Sequence, residues 1–317
     1  MTPRILVTGG AGFIGSHLVD LLVQQHADVT VFDNLSRGGC ENLQMSLSTG
    51  KCHLIKGDLK NPEEIENALE NVDTVYHFAA NAEVRDAKPD VHFRENQVTT
   101  FNLLDSMRRS GTCMVVFAST STIYGDARTQ PTPETYGPLF PISTYGASKL
   151  ACEAMITSYA YTYGVRGLIF RLGNVVGSRA NHGVIVDFLK KLRHDSGLLD
   201  ILGDGTQTKS YIHVSDCVSG ILLAAEKFFN SNLQVDAYNL SSVDRVSARR
   251  IAEIVVEETG LKPEIRILGG VDGGRGWAGD VKVMQLSVQK LQSIGWTPRY
   301  NSEAAVRQAI RELRTTR

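Results

Sequence analysis

The sequence has almost no net charge: 33 Lys and Arg against 34 Asp and Glu give −1 with His neutral. A chain that neutralises nucleic-acid phosphates or anionic lipid carries a surplus of basic residues, so neither a nucleic-acid nor a membrane partner is expected. Long apolar runs are missing too. None approaches the roughly 20 residues that a membrane helix needs, and residues 1–4 lead straight into an apolar strand instead of a charged-then-hydrophobic leader, which predicts a soluble, cytoplasmic protein. Cysteine is scarce and unpatterned. Cys40, Cys52, Cys113, Cys152 and Cys217 are odd in number, widely spaced and never in a Cys-x-x-Cys pair, which argues against a disulfide framework or a zinc site. They are expected to be buried small hydrophobes, and no metal is expected.

What is present is a chain of 317 residues, 42% hydrophobic and 21% charged, with 29 Gly and 9 Pro. At about 150 residues per domain this is roughly two units, with ample material for a core. Short apolar runs at 4–8, 29–32, 53–55, 74–78, 114–118, 167–171 and 237–240 read as strands. Between them, helical spacing at 62–70, 91–109 and 145–163, and the stripe Ile14, Leu18, Leu21 and Leu22, makes strand and helix alternate. Near-continuously apolar strands alternating with helices predict a parallel sheet covered on both faces, a doubly wound α/β fold. Beyond 171 the pattern loosens: Gly-rich loops at 173–183, 203–206 and 269–279 separate helices near 184–193, 215–229, 247–259 and 302–314. The expected organisation is a first domain over 1–172, to which 212–242 returns, and a second, smaller α/β lobe from 173–211 and 243–317.

Thr8-Gly9-Gly10-Ala11-Gly12-Phe13-Ile14-Gly15 places Gly10, Gly12 and Gly15 at G-x-G-x-x-G spacing between a strand and a helix. Glycines let the backbone turn tightly against a pyrophosphate, and the helix N-terminus offers it N–H groups and partial positive charge. Asp33 closes the second strand 18 residues after Gly15, where a carboxylate accepts hydrogen bonds from an adenosine ribose. Its charge would repel the extra phosphate of NADP and so favours NAD, although Arg37 nearby leaves the choice open. Asn34 follows it. Asp58-Leu59, after the third strand, suits an adenine ring, and Asp58 reads equally well as a helix cap before Asn61-Pro62.

Tyr145-Gly146-Ala147-Ser148-Lys149 opens a helical segment, so phenol and ammonium share one face. A phenol with its ordinary pKa near ~10 needs about 4 kcal/mol of help to act as a base near pH 7. A Lys cation ~5 Å away at an effective dielectric of ~20 supplies about 3 kcal/mol, and the positive nicotinamide ring of an oxidised cofactor could supply the rest.

With the glycine turn and this pair together, the chain resembles the extended short-chain dehydrogenase/reductase family, within it the NAD-dependent nucleotide-sugar epimerases of the UDP-glucose 4-epimerase type, from Thr8 to about Trp296. The resemblance implies a Rossmann domain with a substrate-binding lobe, NAD as cofactor, and a homodimer built on helices near 96–109 and 147–163. It implies nicotinamide and ribose contacts at Phe78, Ala79, Ala80, Asn96 and Lys149, and a catalytic hydroxyl at Thr120 within Phe117-Ala118-Ser119-Thr120-Ser121-Thr122-Ile123-Tyr124-Gly125. For the substrate it implies Asn174 (in Arg171-Leu172-Gly173-Asn174), with Gly173 replacing the usual aromatic. It also implies Lys209 (in Gly203-Asp204-Gly205-Thr206-Gln207-Thr208-Lys209-Ser210-Tyr211), where Arg is commoner, and Arg275 with Asp280 in a segment two residues longer than the family's Arg-Pro-Gly-Asp. Thr122, Val184 and Tyr211 complete the expected substrate set. Met284 stands where a large Tyr excludes N-acetylated sugars in some relatives, and a flexible thioether yields space.

Dehydratase relatives carry Asp-Glu directly after the catalytic Thr, and decarboxylase relatives a Glu two places after it. Here Ser121 and Thr122 follow, and neither performs that acid/base work. The implied activity is therefore 4-epimerisation of a UDP-sugar, of the UDP-glucose/UDP-galactose or the UDP-N-acetylhexosamine type, through a transient 4-keto sugar. A 4-keto-sugar reductase using free NAD(P)H, and a non-catalytic dinucleotide sensor, are the alternatives; the Tyr145–Lys149 pair disfavours the sensor.

Overall fold

The computed structural model describes residues 3–85, 88 and 90–315. It divides into two compact units. Residues through Thr120, Thr144–Arg171 and Ile221–Tyr238 form the first; Ser121–Ser143, Leu172–Gly220 and the chain from Asn239 form the second.

The first unit is organised by a seven-stranded sheet. Its strands are β1 (Arg4–Thr8), β2 (Asp28–Asp33), β3 (Cys52–Lys56), β4 (Thr74–His77), β5 (Met114–Thr120), β6 (Arg166–Leu172) and the strand Val235–Leu240. The spatial order is Val235–Leu240, β6, β5, β4, β1, β2, β3, and β1 pairs in parallel with both β2 (Ile5 opposite Val29) and β4 (Ile5 opposite Thr74). This is the doubly wound order, with its reversal of direction between β1 and β4. In β1 only Arg4, at the sheet's rim, is exposed; the four residues after it are buried, as expected of a strand covered on both faces.

The helices of this unit are α1 (Phe13–Gln24), α2 (Gln44–Ser48), α3 (Pro62–Ala68), α4 (Thr99–Ser110) and α5 (Thr144–Tyr163). Each start and stop has a local cause. Asn61 caps α3 by accepting from the Glu63 N–H, with Pro62 in the first turn, and α4 ends at Gly111, whose φ is +79°. α1 buries Leu18, Val19, Leu22 and Val23. Ile156 of α5 joins Leu103 and Met107 of α4 with Val115 and Phe117 of β5 in one apolar cluster.

The expected helix over 91–109 differs in its first turn, which is a π-helix over Phe93–Val98 before α4 begins. The Thr99 hydroxyl donates to the Glu95 and Asn96 carbonyls, at 2.8 and 3.1 Å, so side-chain bonds take over acceptors that backbone amides serve in a regular α-turn. The cysteine expectation needs correction. Cys52, Cys152 and Cys217 are buried, but Cys40 and Cys113 are exposed, because each stands at an element's edge: Cys40 opens a short 3-10 turn and Cys113 immediately precedes β5.

The second unit contains short strands that no periodicity announces. Asn174–Val176 pairs in parallel with Tyr211–His213, and Leu198–Ile201 with Glu264–Ile267. Thr208–Lys209 lies between Val246–Ser247 and Val283–Met284. The helices Ala248–Thr259 and Ser302–Thr315 are laced by Arg250 to Glu303 and Glu257, and by Arg307 and Arg311 to Glu258. The four helices expected beyond residue 171, near 184–193, 215–229, 247–259 and 302–314, appear as Val184–His194, Val214–Phe229, Ala248–Thr259 and Ser302–Thr315.

Because Ile156 is fully buried in the cluster that joins α5 to the sheet, Ile156→Ala should lower the unfolding free energy by about 3 kcal/mol in denaturant titration. A loss below about 1 kcal/mol would contradict this packing assignment.

Candidate active site

In a doubly wound sheet, ligands bind beyond the carboxyl ends of the strands where the order reverses. Here that point lies between β1 and β4. Gly9, directly after β1, has φ +69°, and a Cβ on it would stand 2.5 Å from the Ala79 nitrogen. Gly15 is as constrained, since a Cβ there would lie 2.3 Å from the Gly9 carbonyl oxygen. Between them Gly10, Ala11 and Gly12 complete the turn. Gly12 caps α1 with no side-chain hydrogen bond, and the first turn, with Phe13 and Ile14, carries no acidic residue. A helix N-terminus left uncapped by side chains, behind a turn with no Cβ at its closest approach, fits the pyrophosphate of a dinucleotide.

Asp33, at the end of β2, accepts from the Ala11 N–H at 3.0 Å through Oδ2 and from the Leu35 N–H at 2.8 Å through Oδ1. The carboxylate thus fixes the glycine turn, and each oxygen keeps acceptor capacity for ribose hydroxyls. Asn34 Nδ2 donates to Asp58 Oδ2 at 3.3 Å, so these two expected residues meet. Asp58 also accepts from the Lys60 N–H, and Leu59 beside it is buried. Phe78, Ala79 and Ala80 follow β4, half-buried, with the Phe78 N–H donating to the Thr8 carbonyl at 2.9 Å. Asn96 is otherwise occupied: it accepts from the Asn81 N–H at 2.7 Å and donates to the Asn81 carbonyl and the Ser148 hydroxyl. It ties the segment after β4 to α5.

Tyr145 and Lys149 both face inward from α5. The phenol is hydrogen-bonded to Thr120, at the carboxyl end of β5. The ammonium donates to the Ala118 carbonyl at 2.8 Å and lies 4.6 Å from the centroid of the Phe117 ring. This alters the electrostatic expectation. Burial pushes Tyr145 up to about 12 despite the Thr120 hydrogen bond, and pushes Lys149 down to about 8. The protein's own groups therefore do not ionise the phenol near neutral pH, because Lys149 is held on a carbonyl and a ring and loses part of its own charge to burial. Nearby, His77 bridges the Thr8 and Thr100 hydroxyls, and burial, with the Lys149 charge added, drives its pKa down to about 3, so it stays neutral.

The second unit gathers most of the expected substrate residues. Asn174 pairs with Tyr211 across two parallel strands, and its Nδ2 points to the Ser210 carbonyl at 3.4 Å. Lys209 pairs with Met284 across the Thr208–Lys209 and Val283–Met284 strands. Its ammonium bonds Asp280 at 2.5 Å and sits 5.4 Å from the Trp277 ring centroid. Arg275 forks onto Asp126 at 2.7 and 3.1 Å and donates to the Asp280 carbonyl. Two cations are thus collected within one group of residues, which suits a diphosphate. Val184 and Thr122 lie on other elements, Val184 opening the helix Val184–His194 and Thr122 in the 3-10 turn Ser121–Tyr124.

Sequence reasoning passed over several residues of these two groups. His92 packs edge-on against Tyr145, with centroids 5.7 Å apart, and bonds the Thr144 hydroxyl. Glu153 lies buried between Ser119 and Arg171. Its spacing, four residues beyond Lys149, was the available signal. Trp277, an aromatic inside a glycine-rich stretch, was another; Asp126 offered none.

The sequence profile of the NAD-dependent epimerase/dehydratase family matches residues 5–241. A crystal structure of a UDP-galactose 4-epimerase superposes with a TM-score of 0.88 at 45% identity, over 99% of both chains. UDP-glucose 4-epimerase of Corynebacterium glutamicum is 33% identical over 94% of this chain and 91% of its own. UDP-glucuronic acid decarboxylase 1 of Danio rerio is 32% identical over 84% of this chain and 63% of its own. From the Asp33 geometry, Asp33→Asn should weaken NAD binding about tenfold, a loss of about 1.4 kcal/mol, and narrow the preference over NADP, as titration with each cofactor will show. An unchanged preference would refute the ribose assignment. A profile match of this span, with relatives this similar along most of the chain, makes the protein a member of the NAD-dependent epimerase/dehydratase family.

Proposed function

We propose that this enzyme interconverts a UDP-sugar and its 4-epimer, UDP-glucose and UDP-galactose in the first instance, through a transient 4-keto sugar. One observation carries this reading over dehydration and decarboxylation: the hydroxyls of Ser121 and Thr122, not carboxylates, follow Thr120. Removing water from the sugar needs an added acid and base, and those positions supply neither. NAD, when bound on the glycine turn and Asp33, supplies reversible oxidation at the sugar C4.

The chain's own residues move and hold the proton. Tyr145 Oη takes the proton of the 4-hydroxyl and later returns it, while the Thr120 hydroxyl, bonded to the same phenol, orients the sugar oxygen. Lys149 adds positive charge on the same helix face. Asn174, Lys209 and Arg275 bind the diphosphate and Asp280 the nucleotide ribose. Tight binding there, with few contacts to the hexose, lets the keto sugar offer its other face before the proton returns. Met284 in place of a bulky aromatic extends the proposal to UDP-N-acetylhexosamines. The reading includes a cytoplasmic homodimer joined through α4 and α5, where Phe101 and Tyr161 are 49% and 73% exposed.

Three outcomes check this reading. Incubated without added reductant with UDP-glucose, UDP-N-acetylglucosamine and UDP-glucuronate separately, the protein should give a 4-epimer of the glucose form, seen by proton NMR. No conversion of any of them, even with NAD supplied, would refute 4-epimerisation of these sugars. Tyr145→Phe should lower kcat by at least about 10³-fold and leave UDP affinity within about threefold; a variant retaining most of its activity would overturn the base assignment. Because burial, outweighing the Thr120 hydrogen bond, holds Tyr145 at about 12, spectrophotometric titration should find its phenol ionising several pH units lower with NAD bound than without, the difference being lost in Tyr145→Phe. Equal titration in both states would contradict the claim that cofactor charge completes the activation.

A further inference from the structure

Glu153 is a buried carboxylate that the mechanism above leaves unused. It is 4% exposed, on the inward face of α5, one turn beyond Lys149 and two beyond Tyr145. Burying a carboxylate costs several kcal/mol unless it is paired and hydrogen-bonded. Here it is both. Arg171, at the end of β6, donates to it through Nε at 3.2 Å and through an Nη at 2.8 Å, and the Ser119 hydroxyl donates at 2.5 Å. Ser119 is the residue before Thr120. One carboxylate therefore joins the helix that carries Tyr145 and Lys149, the strand end that carries Thr120, and the neighbouring strand.

We propose that Glu153 is a positioning residue for the proton transfer at Tyr145: through Ser119 it fixes the strand end beside Thr120, and with Arg171 it balances the charge around Lys149. The inference rests on the 4-epimerase reading. Among the described residues, the charged or titratable groups that bear on Lys149 are Cys152 and Glu153 on α5 and His77 on β4, with Tyr145 one turn before it on the same helix and Arg171 on β6 paired to Glu153. His77 is neutral, and the Cys152 thiol is pushed up by burial, so neither supplies charge near pH 7. The negative charge is that of Glu153, which opposes the loss of the Lys149 proton. Removing Glu153 makes the charge around Lys149 more positive and removing Arg171 makes it more negative, so the two removals act with opposite sign.

The experiment compares Glu153→Gln, Arg171→Met and Ser119→Ala with the wild type, following kcat and KM against pH and titrating the Lys149 side chain by NMR with labelled lysine, Lys149→Arg giving the assignment. In Glu153→Gln the alkaline limb of kcat and the Lys149 titration should both move about one pH unit lower, with kcat about tenfold down and KM within about twofold. In Arg171→Met both should move higher. Ser119→Ala, which buries no lone charge, should lower kcat severalfold with the limb and KM unmoved. Limbs that stay fixed, or move the same way in Glu153→Gln and Arg171→Met, would overturn the charge role, and an unchanged kcat in Ser119→Ala would overturn the positioning role. If the two charge variants do not fold, Ser119→Ala alone decides the positioning role. Wild-type turnover tests the 4-epimerase reading separately, and the lysine titration needs no substrate.

Discussion

An ammonium group taken out of water must find fixed partners, and much of the first unit is arranged around that requirement at Lys149. Its partners come from two elements, the Ala118 carbonyl and Phe117 ring from β5 and the charge of Glu153 from α5 itself, and Arg171 from β6 holds that carboxylate in place. Helix α5 can satisfy these only in one register against the sheet. That register also sets Tyr145 against Thr120 and His92. The same burial makes the phenol hard to ionise, so the proposed chemistry at Tyr145 needs charge brought in by the cofactor.

The candidate cofactor end of the first unit follows from backbone geometry. The strand order reverses between β1 and β4, which leaves a crevice beyond their ends, and Gly9 and Gly15 let the backbone close tightly against Ala79 and against the turn itself. Asp33 contributes twice, holding the turn through Ala11 while keeping acceptor capacity for a ribose. The second unit uses different means: strands of two and three residues bring Asn174, Lys209, Tyr211 and Met284 together, and a glycine-rich stretch returns Arg275 and Asp280 to Lys209.

What was legible in the sequence follows from these differences. Runs such as Ile5 to Thr8 are buried on both sides, so composition alone announces them, and the glycine turn and Tyr145–Lys149 spacing are local signals that long-range packing does not alter. The two-residue strands of the second unit have no period to read. The wide turn over Phe93–Val98 is bridged by side chains, the Thr99 hydroxyl and the Cys152 thiol, and Glu153 announces itself only by its spacing from Lys149 until Arg171 and Ser119, distant in sequence, are seen to close over it. Electrostatics was the least legible: the expected help from Lys149 presumed a partly hydrated pair, whereas burial raises Tyr145 to about 12 and lowers Lys149 to about 8.

The central claim is that one sugar carbon is oxidised and restored within a single binding event, with Tyr145 handling the proton. The most direct test is to incubate the enzyme in ordinary water with UDP-glucose carrying deuterium at C4 and to locate the label in the product by NMR. The account predicts UDP-galactose that retains the deuterium at C4. Product whose C4 hydrogen comes from water, or label lost with no epimer formed, would contradict it.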